Sequence, residues 1–463
     1  MGDGFLAMEA IFNPKSVAVI GASDNPGKLG FHVMKSLTQG GYPGRIFPVN
    51  PGKQEILGIK TFPSLLHVPE EVDLSIVVLP AERVPGTIKE CKVKGVHGMV
   101  LITAGFREIE DKKGERLQRE ISDLANQSGI KIIGPNTFGI VNLHRPVNAS
   151  FTPEFSHVKK GKIGLVSQSG GMSHLLGFLA IENRVGLSKI IGLGNRCNVD
   201  FAEMVEFLAQ DPETGVIAMY LEGIDQPRGL IDAAKRVKGI KPMVAYKAGR
   251  SGRSDQASQF HTGSLAGKHA IYEGAFNQAG ILTVQTSEEF LDTAKGLALC
   301  PVPEGNRVAV LSGQAGPGMV ACDTCELEGL SIPSFSRRTQ KKIEELLPPL
   351  AIRTNPVDMG PAWYDSQAIK GIVEAVLEDE TIDAVVLCIM FASANRAAAG
   401  ALANLILEAG RRKAVTCCFS APLGIWDEEI KRLEESGIPN YPTPERAAQT
   451  LANLFRYGRL MKR

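Results

Sequence analysis

The sequence lacks an excess of charge of either sign, since 51 lysines and arginines balance 50 aspartates and glutamates and leave a net charge of +1. Proteins that bind nucleic acid or an acidic membrane surface usually carry a basic excess, so this balance argues against both partners. The most apolar run, residues 384–392, is too short to cross a bilayer and is typical of a buried strand. The N-terminal residues also lack the basic segment and long apolar core of a signal peptide. We therefore expect a cytoplasmic protein with no membrane segment.

The sequence also lacks paired cysteine motifs with metal-ligand spacing. Its 8 cysteines are scattered, and most lie in apolar stretches, as reduced structural cysteines do. Cys322 and Cys325 form a CxxC, but it falls inside a helical pattern and has no partner pair. We expect no metal site.

Strand-length apolar runs alternate with helical patterns throughout, which predicts parallel α/β sheets. Three of the predicted strands end in a small-residue or glycine-rich turn that opens a helix, at Gly21–Ser23, Ser167–Gly171 and Ser312–Gly318. The nearly equal spacing of these turns predicts three domains of similar size. The predicted domains are residues 1–150, 151–300 and 301–463.

The first turn does not match either common nucleotide-binding motif. Five residues separate Gly21 from Gly27, and Leu29 stands where a Walker A loop needs Ser or Thr. Ser23 occupies the place of the second glycine of a dinucleotide-binding motif. The next strand ends at Asn50-Pro51, without the acidic residue that holds an NAD ribose, and this argues against a dehydrogenase.

Several strand ends of the first domain are predicted to meet at one edge of its sheet. Pro80, Thr103 and Asn136 each follow a predicted strand, and ligands of open α/β sheets bind at the carboxyl edge. Lys28 and Lys53 are candidates to reach phosphate groups of a ligand there.

The second and third turns each open a predicted helix, whose N-terminus favours an anion. If the helices after Ser167–Gly171 and Gly313–Gly318 face each other, a phosphate between them gains from both dipoles. The sequence does not say whether they meet.

His261 lies in a loop of small and polar residues, with glycine at 263 and 267. A neutral imidazole in such a loop is a nucleophile that can carry a phosphoryl group. Glu222 ends a predicted strand, where its carboxylate can accept a hydrogen bond from an imidazole and hold its tautomer. A solvated glutamate is an equally good interpretation of Glu222 from sequence alone. Asp358 is predicted to cap a turn.

Taken together and in this order, these motifs resemble the α subunit of ADP-forming acyl-CoA synthetases, relatives of succinyl-CoA synthetase. The resemblance runs over essentially the whole chain. It implies an N-terminal Rossmann-like CoA-binding domain followed by two flavodoxin-like domains. It implies that His261 is the phosphorylated histidine and that Glu222 is its partner.

The resemblance also implies two sets of binding residues. The CoA-binding set is Gly21, Ala22, Ser23, Lys28, Gly30, Val49, Asn50, Pro51, Lys53, Pro80 and Thr103. The phosphate- and acyl-binding set is Asn136, Gln168, Ser169, Gly170, Gly171, Gly316, Pro317 and Gly318.

The implied reaction is acyl-CoA + ADP + phosphate ⇌ acid + ATP + CoA, through an acyl phosphate and a phosphohistidine on a swinging loop, with acetyl as the default acyl group. Nothing in the sequence resembles an ATP-grasp domain. The resemblance therefore implies a separate ATP-grasp β subunit that holds ADP or ATP with Mg²⁺, in an α2β2 assembly. The third turn departs from the family pattern, since it reads Ser-Gly-Gln-Ala-Gly at residues 312–316. The alternative is a non-catalytic CoA-binding regulator of the same fold.

Overall fold

The first sheet of the protein is built from short apolar strands that are buried on both faces. The structure is a computed structural model that describes residues 3–109, 111–254, 269–408 and 413–462. The parallel strands of this sheet are β1 (Ser16–Ile20), β2 (Arg45–Val49), β5 (Leu74–Val77), β6 (Gly98–Leu101) and β7 (Lys131–Ile133). Their spatial order is β2-β1-β5-β6-β7, so the chain reverses direction across the sheet beside β1. Such a reversal opens a crevice at the carboxyl ends of the strands.

Helices and a small antiparallel pair of strands surround this first sheet. The pair is β3 (Glu55–Ile56) with β4 (Ile59–Lys60), and the helices are α1 (Asp3–Phe12), α2 (Leu29–Gln39), α3 (Val84–Lys94) and α4 (Lys112–Ser128). The local sequence fixes both ends of α4. The Asp111 side chain accepts a hydrogen bond from the Gly114 backbone N–H at 2.8 Å, and Gly129 ends the helix with φ +69°.

The second sheet is larger and mixes parallel and antiparallel pairing. Its strands are β8 (Gly139–Asn142), β9 (Val147–Ser150), β10 (Lys160–Ser167), β11 (Leu187–Gly192), β12 (Val216–Leu221), β13 (Met243–Lys247) and β14 (Ile281–Val284). Their spatial order is β14-β13-β12-β10-β11-β8-β9, with β8 and β9 antiparallel at one edge. The associated helices are α5 (Gly170–Glu182), α6 (Phe201–Gln210), α7 (Pro227–Val237) and α8 (His269–Ala279). Strands β8 and β9 precede residue 151, so this sheet begins before the predicted domain boundary.

The first two sheets belong to one compact unit, residues 1–287, and residues 288–463 form a second unit. Within the first unit, the Phe12 ring stacks on Phe207 with centroids 4.8 Å apart. The Asn142 side-chain amide donates to the Phe12 carbonyl at 3.0 Å. These contacts join α1 to α6 and to the edge of the second sheet. The relative placement of the first two sheets is therefore fixed by a shared core.

The second unit carries a parallel sheet of its own. Its strands are β15 (Val308–Ser312), β16 (Val357–Asp358), β17 (Ala384–Met390) and β18 (Ala414–Ser420), in the order β16-β15-β17-β18. Its helices are α9 (Ser287–Leu299), α10 (Ala315–Leu327), α11 (Arg337–Leu346), α12 (Ser366–Leu377), α13 (Ala398–Glu408), α14 (Asp427–Glu435) and α15 (Pro444–Met461). Almost all of α9 belongs to this unit, although the sequence predicted the third domain to begin at 301. The three predicted domain ranges stay predictions.

The structure confirms the predicted α/β class, and two local expectations hold as well. The apolar run at 384–392 contains the buried strand β17, and the CxxC lies inside α10 with Cys325 buried. Over the described ranges, no group of three or more His, Cys, Asp or Glu side chains is arranged to hold a metal ion. No helix within those ranges is long and apolar enough to cross a membrane.

Candidate active site

A cavity of about 430 Å³ lies within the first unit, lined by loops that follow strands of both of its sheets. We call it the edge pocket. Its lining residues are Leu29, Ile102, Ala104, Arg107, Asn136, Thr137, Phe138, Phe151, Gln168, Ser169, Gly170, Gly171, His174, Gly194, Asn195 and Glu222. Every residue of the first unit that was predicted to bind phosphate or the acyl group is among them, and so is Glu222. The fold therefore brings these predicted residues together in one pocket, although they are spread over positions 136 to 222 of the sequence.

The N-terminus of α5 forms one side of the edge pocket. Ser169 is the N-cap, and its hydroxyl accepts a hydrogen bond from the Met172 backbone N–H at 3.5 Å. A Cβ added at Gly170 would meet nothing within 4 Å, and one added at Gly171 would meet only the Ser169 hydroxyl, at 4.0 Å. Packing does not require glycine at these two positions. Their missing side chains instead leave the helix N-terminus open to an anion in the pocket.

Glu222 is held at the end of β12 by contacts to its backbone. The Gln168 side-chain oxygen accepts hydrogen bonds from the backbone N–H of Glu222 at 2.9 Å and of Gly223 at 3.1 Å. The buried Lys247 ammonium donates to the Glu222 carbonyl at 2.8 Å. Gln168 was predicted to bind phosphate, and these contacts show that its oxygen also fixes the strand end that carries Glu222.

The Glu222 carboxylate has a phenol beside it. Tyr220 donates to the Glu222 Oε1 at 3.4 Å. Burial raises the pKa of Tyr220 above its ordinary value, and the negative charge of Glu222 adds to the effect. Tyr220 therefore stays protonated, and it can donate to the carboxylate over the whole physiological pH range.

The predicted CoA-binding turn joins β1 to α2, and glycine is required at two of its positions. Gly21 has φ +93°, and a Cβ there would lie 2.6 Å from the Val78 carbonyl oxygen. A Cβ at Gly30 would collide with the Gly21 carbonyl oxygen, so α2 packs directly against the turn. Ala22 and Ser23 are buried within this turn.

The turn after β2 is hydrogen-bonded to the turn that joins β1 to α2. The Asn50 side chain donates to the Ala22 carbonyl at 2.8 Å and accepts from the Gly52 N–H at 2.8 Å. Val49 is buried at the end of β2, whereas Pro51 and Pro80 are exposed. Thr103 donates to the Leu79 carbonyl at 2.8 Å, which links the ends of β5 and β6. The predicted CoA-binding residues therefore lie on neighbouring strand ends.

Of the two lysines expected near phosphate groups, one already has an acidic partner. The Lys53 ammonium lies 2.7 Å from the Asp24 carboxylate, and this hydrogen bond lowers the pKa of Asp24 below its ordinary value. Lys28 is exposed at the N-cap of α2. Both lysines lie near the turn, and one donor of the Lys53 ammonium is already used by Asp24.

Sequence reasoning missed a polar network at the pocket. Arg107 donates to the Asp225 carboxylate at 3.0 Å and to the Asn195 carbonyl at 2.6 Å. Asp225 also accepts from the buried Arg196 at 3.0 Å, and Asn195 accepts from Asn136 at 3.3 Å. Arg107 follows the glycine turn after β6, so its position behind a strand end was a usable signal. Asn195 and Arg196 had no comparable signal.

Sequence reasoning also missed a cluster of rings beside α5, formed by Phe138, Phe151, Phe155, His174 and Phe178. The His174 ring lies 5.7 Å from Phe138, 5.7 Å from Phe151 and 5.2 Å from Phe155, between centroids. Phe178 packs 5.9 Å from His174. We call these five residues the ring cluster, and three of them, Phe138, Phe151 and His174, line the edge pocket.

The third turn, which precedes α10 in the second unit, is built in the same way as the second turn, which precedes α5. Gln314 donates to the Met390 carbonyl at 2.8 Å and accepts from the Met390 N–H at 3.1 Å, as Gln168 accepts from the end of β12. Gly316, Pro317 and Gly318 lie in the first turn of α10, and a Cβ at Gly316 would meet nothing within 4 Å. The expected cap at Asp358 is present, since its carboxylate accepts from the Gly360 N–H at 2.9 Å.

His261 and the rest of its predicted loop from 255 to 268 lie outside the described residues.

Comparison with known proteins gives two matches to family models. The CoA binding domain matches residues 15–142, and the succinyl-CoA ligase like flavodoxin domain matches residues 160–297. The first match covers the turn between β1 and α2, and the second covers α5 and Glu222.

Two relatives and one solved structure match nearly the whole chain. The α subunit of acetate–CoA ligase [ADP-forming] II of Pyrococcus furiosus is 38% identical, over 95% of this chain and 96% of its own. The α subunit of acetate–CoA ligase [ADP-forming] I of the same organism is 37% identical, over 98% of each chain. The dinucleotide forming acetyl-coenzyme A synthetase 1 of Ca. Korarchaeum cryptofilum, solved in complex with phosphate and ADP, is 34% identical. It superposes with a TM-score of 0.90, covering 98% of this chain and 97% of that one.

Proposed function

This chain belongs to the family of ADP-forming acetate–CoA ligase α subunits, and we propose that it catalyses acyl-CoA + ADP + phosphate ⇌ acid + ATP + CoA with a partner subunit. One observation carries the proposal: the open N-terminus of α5 and the carboxylate of Glu222 line the same pocket. The near-full-length relatives are named as ligase subunits, and this favours catalysis over the regulatory alternative.

The first step is attack of phosphate on the thioester. A phosphate oxygen bonds to the acyl carbon, the carbon–sulfur bond breaks, and CoA leaves as the thiol after taking up a proton. CoA lies along the turns at Gly21–Ser23 and Asn50–Pro51, with its phosphates near Lys28 and Lys53. The phosphate sits at the N-terminus of α5, where the partial positive charge of the helix stabilises it by up to about 2 kcal/mol in a partly buried geometry.

The second step moves the phosphoryl group to His261. A ring nitrogen of His261 bonds to phosphorus, the bond between phosphorus and the bridging oxygen breaks, and the acid leaves as a carboxylate. Glu222 accepts the hydrogen bond of the other ring nitrogen and stabilises the charge of the phosphorylated imidazole. Gln168 and Lys247 hold Glu222 in place through its backbone. Splitting the transfer in this way replaces one difficult step by two easier ones.

The third step takes place on the partner. His261 transfers its phosphoryl group to ADP bound with Mg²⁺ on an ATP-grasp β subunit, and ATP forms. The assembly is α2β2 in the cytoplasm. The α-subunit names of the relatives support the existence of a partner.

Mass spectrometry tests this function directly. The purified chain is incubated with acyl-CoA and phosphate, with and without the partner subunit, and then analysed intact and as peptides under conditions that preserve acid-labile phosphate. We expect one phosphoryl group on the peptide that contains His261, and none in the His261→Ala variant. Calorimetry should give the same affinity for CoA in both proteins. If the chain binds CoA but is never phosphorylated, even with the partner present, the result would instead support a non-catalytic CoA-binding regulator.

A further inference from the structure

Arg196, in the loop after β11, is a buried arginine in an uncommon backbone conformation. Only 1% of its side-chain surface is exposed, and arginine is almost never buried to this degree unless it is paired. Its φ is +59°, in the left-handed region that residues other than glycine seldom adopt. Because this conformation is unfavourable, the surrounding structure must hold Arg196 in place, and residues held in this way cluster at functional sites.

The backbone on either side of Arg196 is attached to a turn of the chain before β8. The Asn195 N–H donates to the Pro135 carbonyl at 2.9 Å, and the Cys197 N–H donates to the Gly134 carbonyl at 2.8 Å. The loop that carries Arg196 is therefore fixed from both sides, which sets the point from which its side chain extends.

The guanidinium of Arg196 binds the segment that directly follows Glu222. Its Nη1 donates to the Gly223 carbonyl at 2.6 Å, and its Nη2 donates to the Asp225 Oδ2 at 3.0 Å. The planar fork of an arginine can hold both acceptors at once. Gly223 is buried, so its carbonyl cannot turn to water instead. Arg196 thus fixes the chain after Glu222 at two points.

This contact completes the hydrogen bonding of the backbone at the end of β12. Glu222 and Gly223 have four backbone polar groups between them. The Gln168 side-chain oxygen accepts from both N–H groups, and the Lys247 ammonium donates to the Glu222 carbonyl. The fourth group, the Gly223 carbonyl, accepts from Arg196. Three side chains from separate parts of the fold therefore set the position from which the Glu222 carboxylate enters the edge pocket.

Resting on the proposed function, we propose that Arg196 is a positioning residue for phosphoryl transfer to His261, which acts by holding Glu222 in place. Without the guanidinium, the buried Gly223 carbonyl would lose its donor, and the chain would move to find another, taking Glu222 with it. A displacement of about 1 Å at a reacting group can lower a rate about 10²-fold. Arg196 is outside the lining of the edge pocket, so its effect passes through Glu222.

Asp225 shows which of the two contacts matters more. Its Oδ2 also accepts from the Arg107 Nη1 at 3.0 Å. Loss of Arg196 would therefore leave Asp225 with an arginine partner, but it would remove the donor to the Gly223 carbonyl. We accordingly assign the positioning of Glu222 to the bond between Arg196 and Gly223.

The test is the rate of phosphohistidine formation in Arg196→Gly. The chain is assembled with its partner subunit and mixed with acetyl-CoA and phosphate without ADP, and acid-labile phosphate is measured by rapid quench. Glycine adopts a φ of +59° without difficulty, so this variant removes the guanidinium and keeps the turn. We expect the rate to fall about 10- to 100-fold. The KM for acetyl-CoA should change by less than about threefold, since the predicted CoA-binding turns lie elsewhere.

Arg184→Gly is the matched control. Arg184 also has a left-handed backbone, with φ +53°, and it lies in the same unit, in the turn after α5, where it is exposed. This variant should keep the rate of the unchanged chain. An equal loss in both variants would mean that exchanging a left-handed arginine for glycine is harmful anywhere, and the proposal would be wrong.

A double-mutant cycle separates positioning from a general structural role. In the Glu222→Gln background, Arg196→Gly should lower the rate by less than about threefold, because the group that it positions is already lost. A merely structural effect would lower the rate by the same factor in both backgrounds. That result, or an unchanged rate in the single variant Arg196→Gly, would overturn the proposal.

A second variant covers the case in which Arg196→Gly no longer binds CoA with the affinity of the unchanged chain. Arg196→Lys keeps the cation but has no fork to hold two acceptors, so it should slow the transfer less and show the same dependence on Glu222. The unchanged chain separates the two levels of inference. If it never forms phosphohistidine, the proposed function and this proposal both fail, whereas normal phosphorylation of the Arg196 variants overturns this proposal alone.

Discussion

At the scale of single residues, the chemistry of the site depends on how Glu222 is presented. Its backbone is fixed by Gln168 and Lys247, and its carboxylate accepts from Tyr220. These contacts order the end of β12 and leave the carboxylate half-buried at the pocket. A carboxylate in such a position suits the stabilisation of a charged imidazole better than a freely solvated side chain does.

Glu222→Gln tests that role. The amide keeps the size of the side chain but loses its charge, so it cannot stabilise the phosphorylated imidazole to the same degree. We expect the phosphoenzyme to form about 10²-fold more slowly, in the range found for loss of a positioned acid or base. Rapid-quench measurement of acid-labile phosphate checks this, with Glu120→Gln on the exposed face of α4 as the control. An unchanged rate would make Glu222 an ordinary surface glutamate.

A second residue-scale prediction concerns Asp379 in the second unit. Burial alone would raise the pKa of its carboxyl, but hydrogen bonds from Thr381, Thr339 and Ser336 bring the pKa down to about 2. Because the folded pKa lies below the unfolded one, the stabilisation is complete above about pH 4 and is lost as the pH falls towards 2. Asp379→Asn should lower the free energy of unfolding by about 2 kcal/mol at pH 7.

The pH dependence is the sharper part of that prediction. The difference in unfolding free energy between the unchanged chain and Asp379→Asn should shrink by about half at pH 3, and urea unfolding at the two pH values measures it. A difference that is the same at pH 7 and pH 3 would show that the ionised carboxylate is not the stabilising species.

At the scale of elements, α5 serves two purposes at once. Its N-terminus provides the open glycines of the edge pocket, and its following turns hold His174 and the ring cluster. Gly177 makes this possible, because a Cβ there would collide with the Phe155 ring. The close approach of α5 to Phe155 places the ring cluster beside the open glycines at the N-terminus of the helix.

Gly177→Ala tests this packing. Alanine normally favours a helix over glycine, but here the added methyl group must displace a buried ring, and overpacking of this kind costs about 1–3 kcal/mol. We expect a lower free energy of unfolding, which urea denaturation measures. Gly274→Ala in α8 is the matched control, since its Cβ would meet nothing within 4 Å. That variant should stabilise the chain by about 0.5–1 kcal/mol.

At the scale of the whole molecule, the chain carries two similar helix-opening turns, one in each unit. Gln168 and Gln314 each use a side-chain amide to hold the end of a neighbouring strand, β12 in one case and β17 in the other. Both turns therefore present an ordered helix N-terminus. Under the proposed function, neither turn is the nucleotide site, which lies on the partner subunit.

It follows that the purified chain should form CoA from acyl-CoA and phosphate but should make no ATP from ADP. Adding the ATP-grasp partner should restore ATP synthesis, and a coupled ATP assay with the chain alone and with the partner measures both. Robust ATP synthesis by the chain alone would contradict the division of labour between the subunits.

Much of the fold could be predicted from the sequence because the deciding signals are local. Buried parallel strands are apolar over their whole length, and glycine or serine at a strand end marks the start of a helix. These patterns predicted the α/β class, the positions of β1, β10 and β15, and the turns that follow them. The resemblance gave the correct family. His261 is outside the described residues, so its role stays a prediction.

The edge pocket was beyond local reasoning. Arg107 and His174 line it close to glycine motifs that the sequence shows, but those motifs did not single out either side chain, and Asn195 lies on a loop with no special pattern. Likewise, Gln168 both lines the pocket and accepts hydrogen bonds from the residues at the end of β12. This double role depends on the distance between β10 and β12. The sequence by itself determined the class, the family and the order of the turns, since each rests on contiguous residues. The tertiary structure alone decided which side chains share one pocket and that its apolar wall is made of rings, because those contacts arise from how the first two sheets pack.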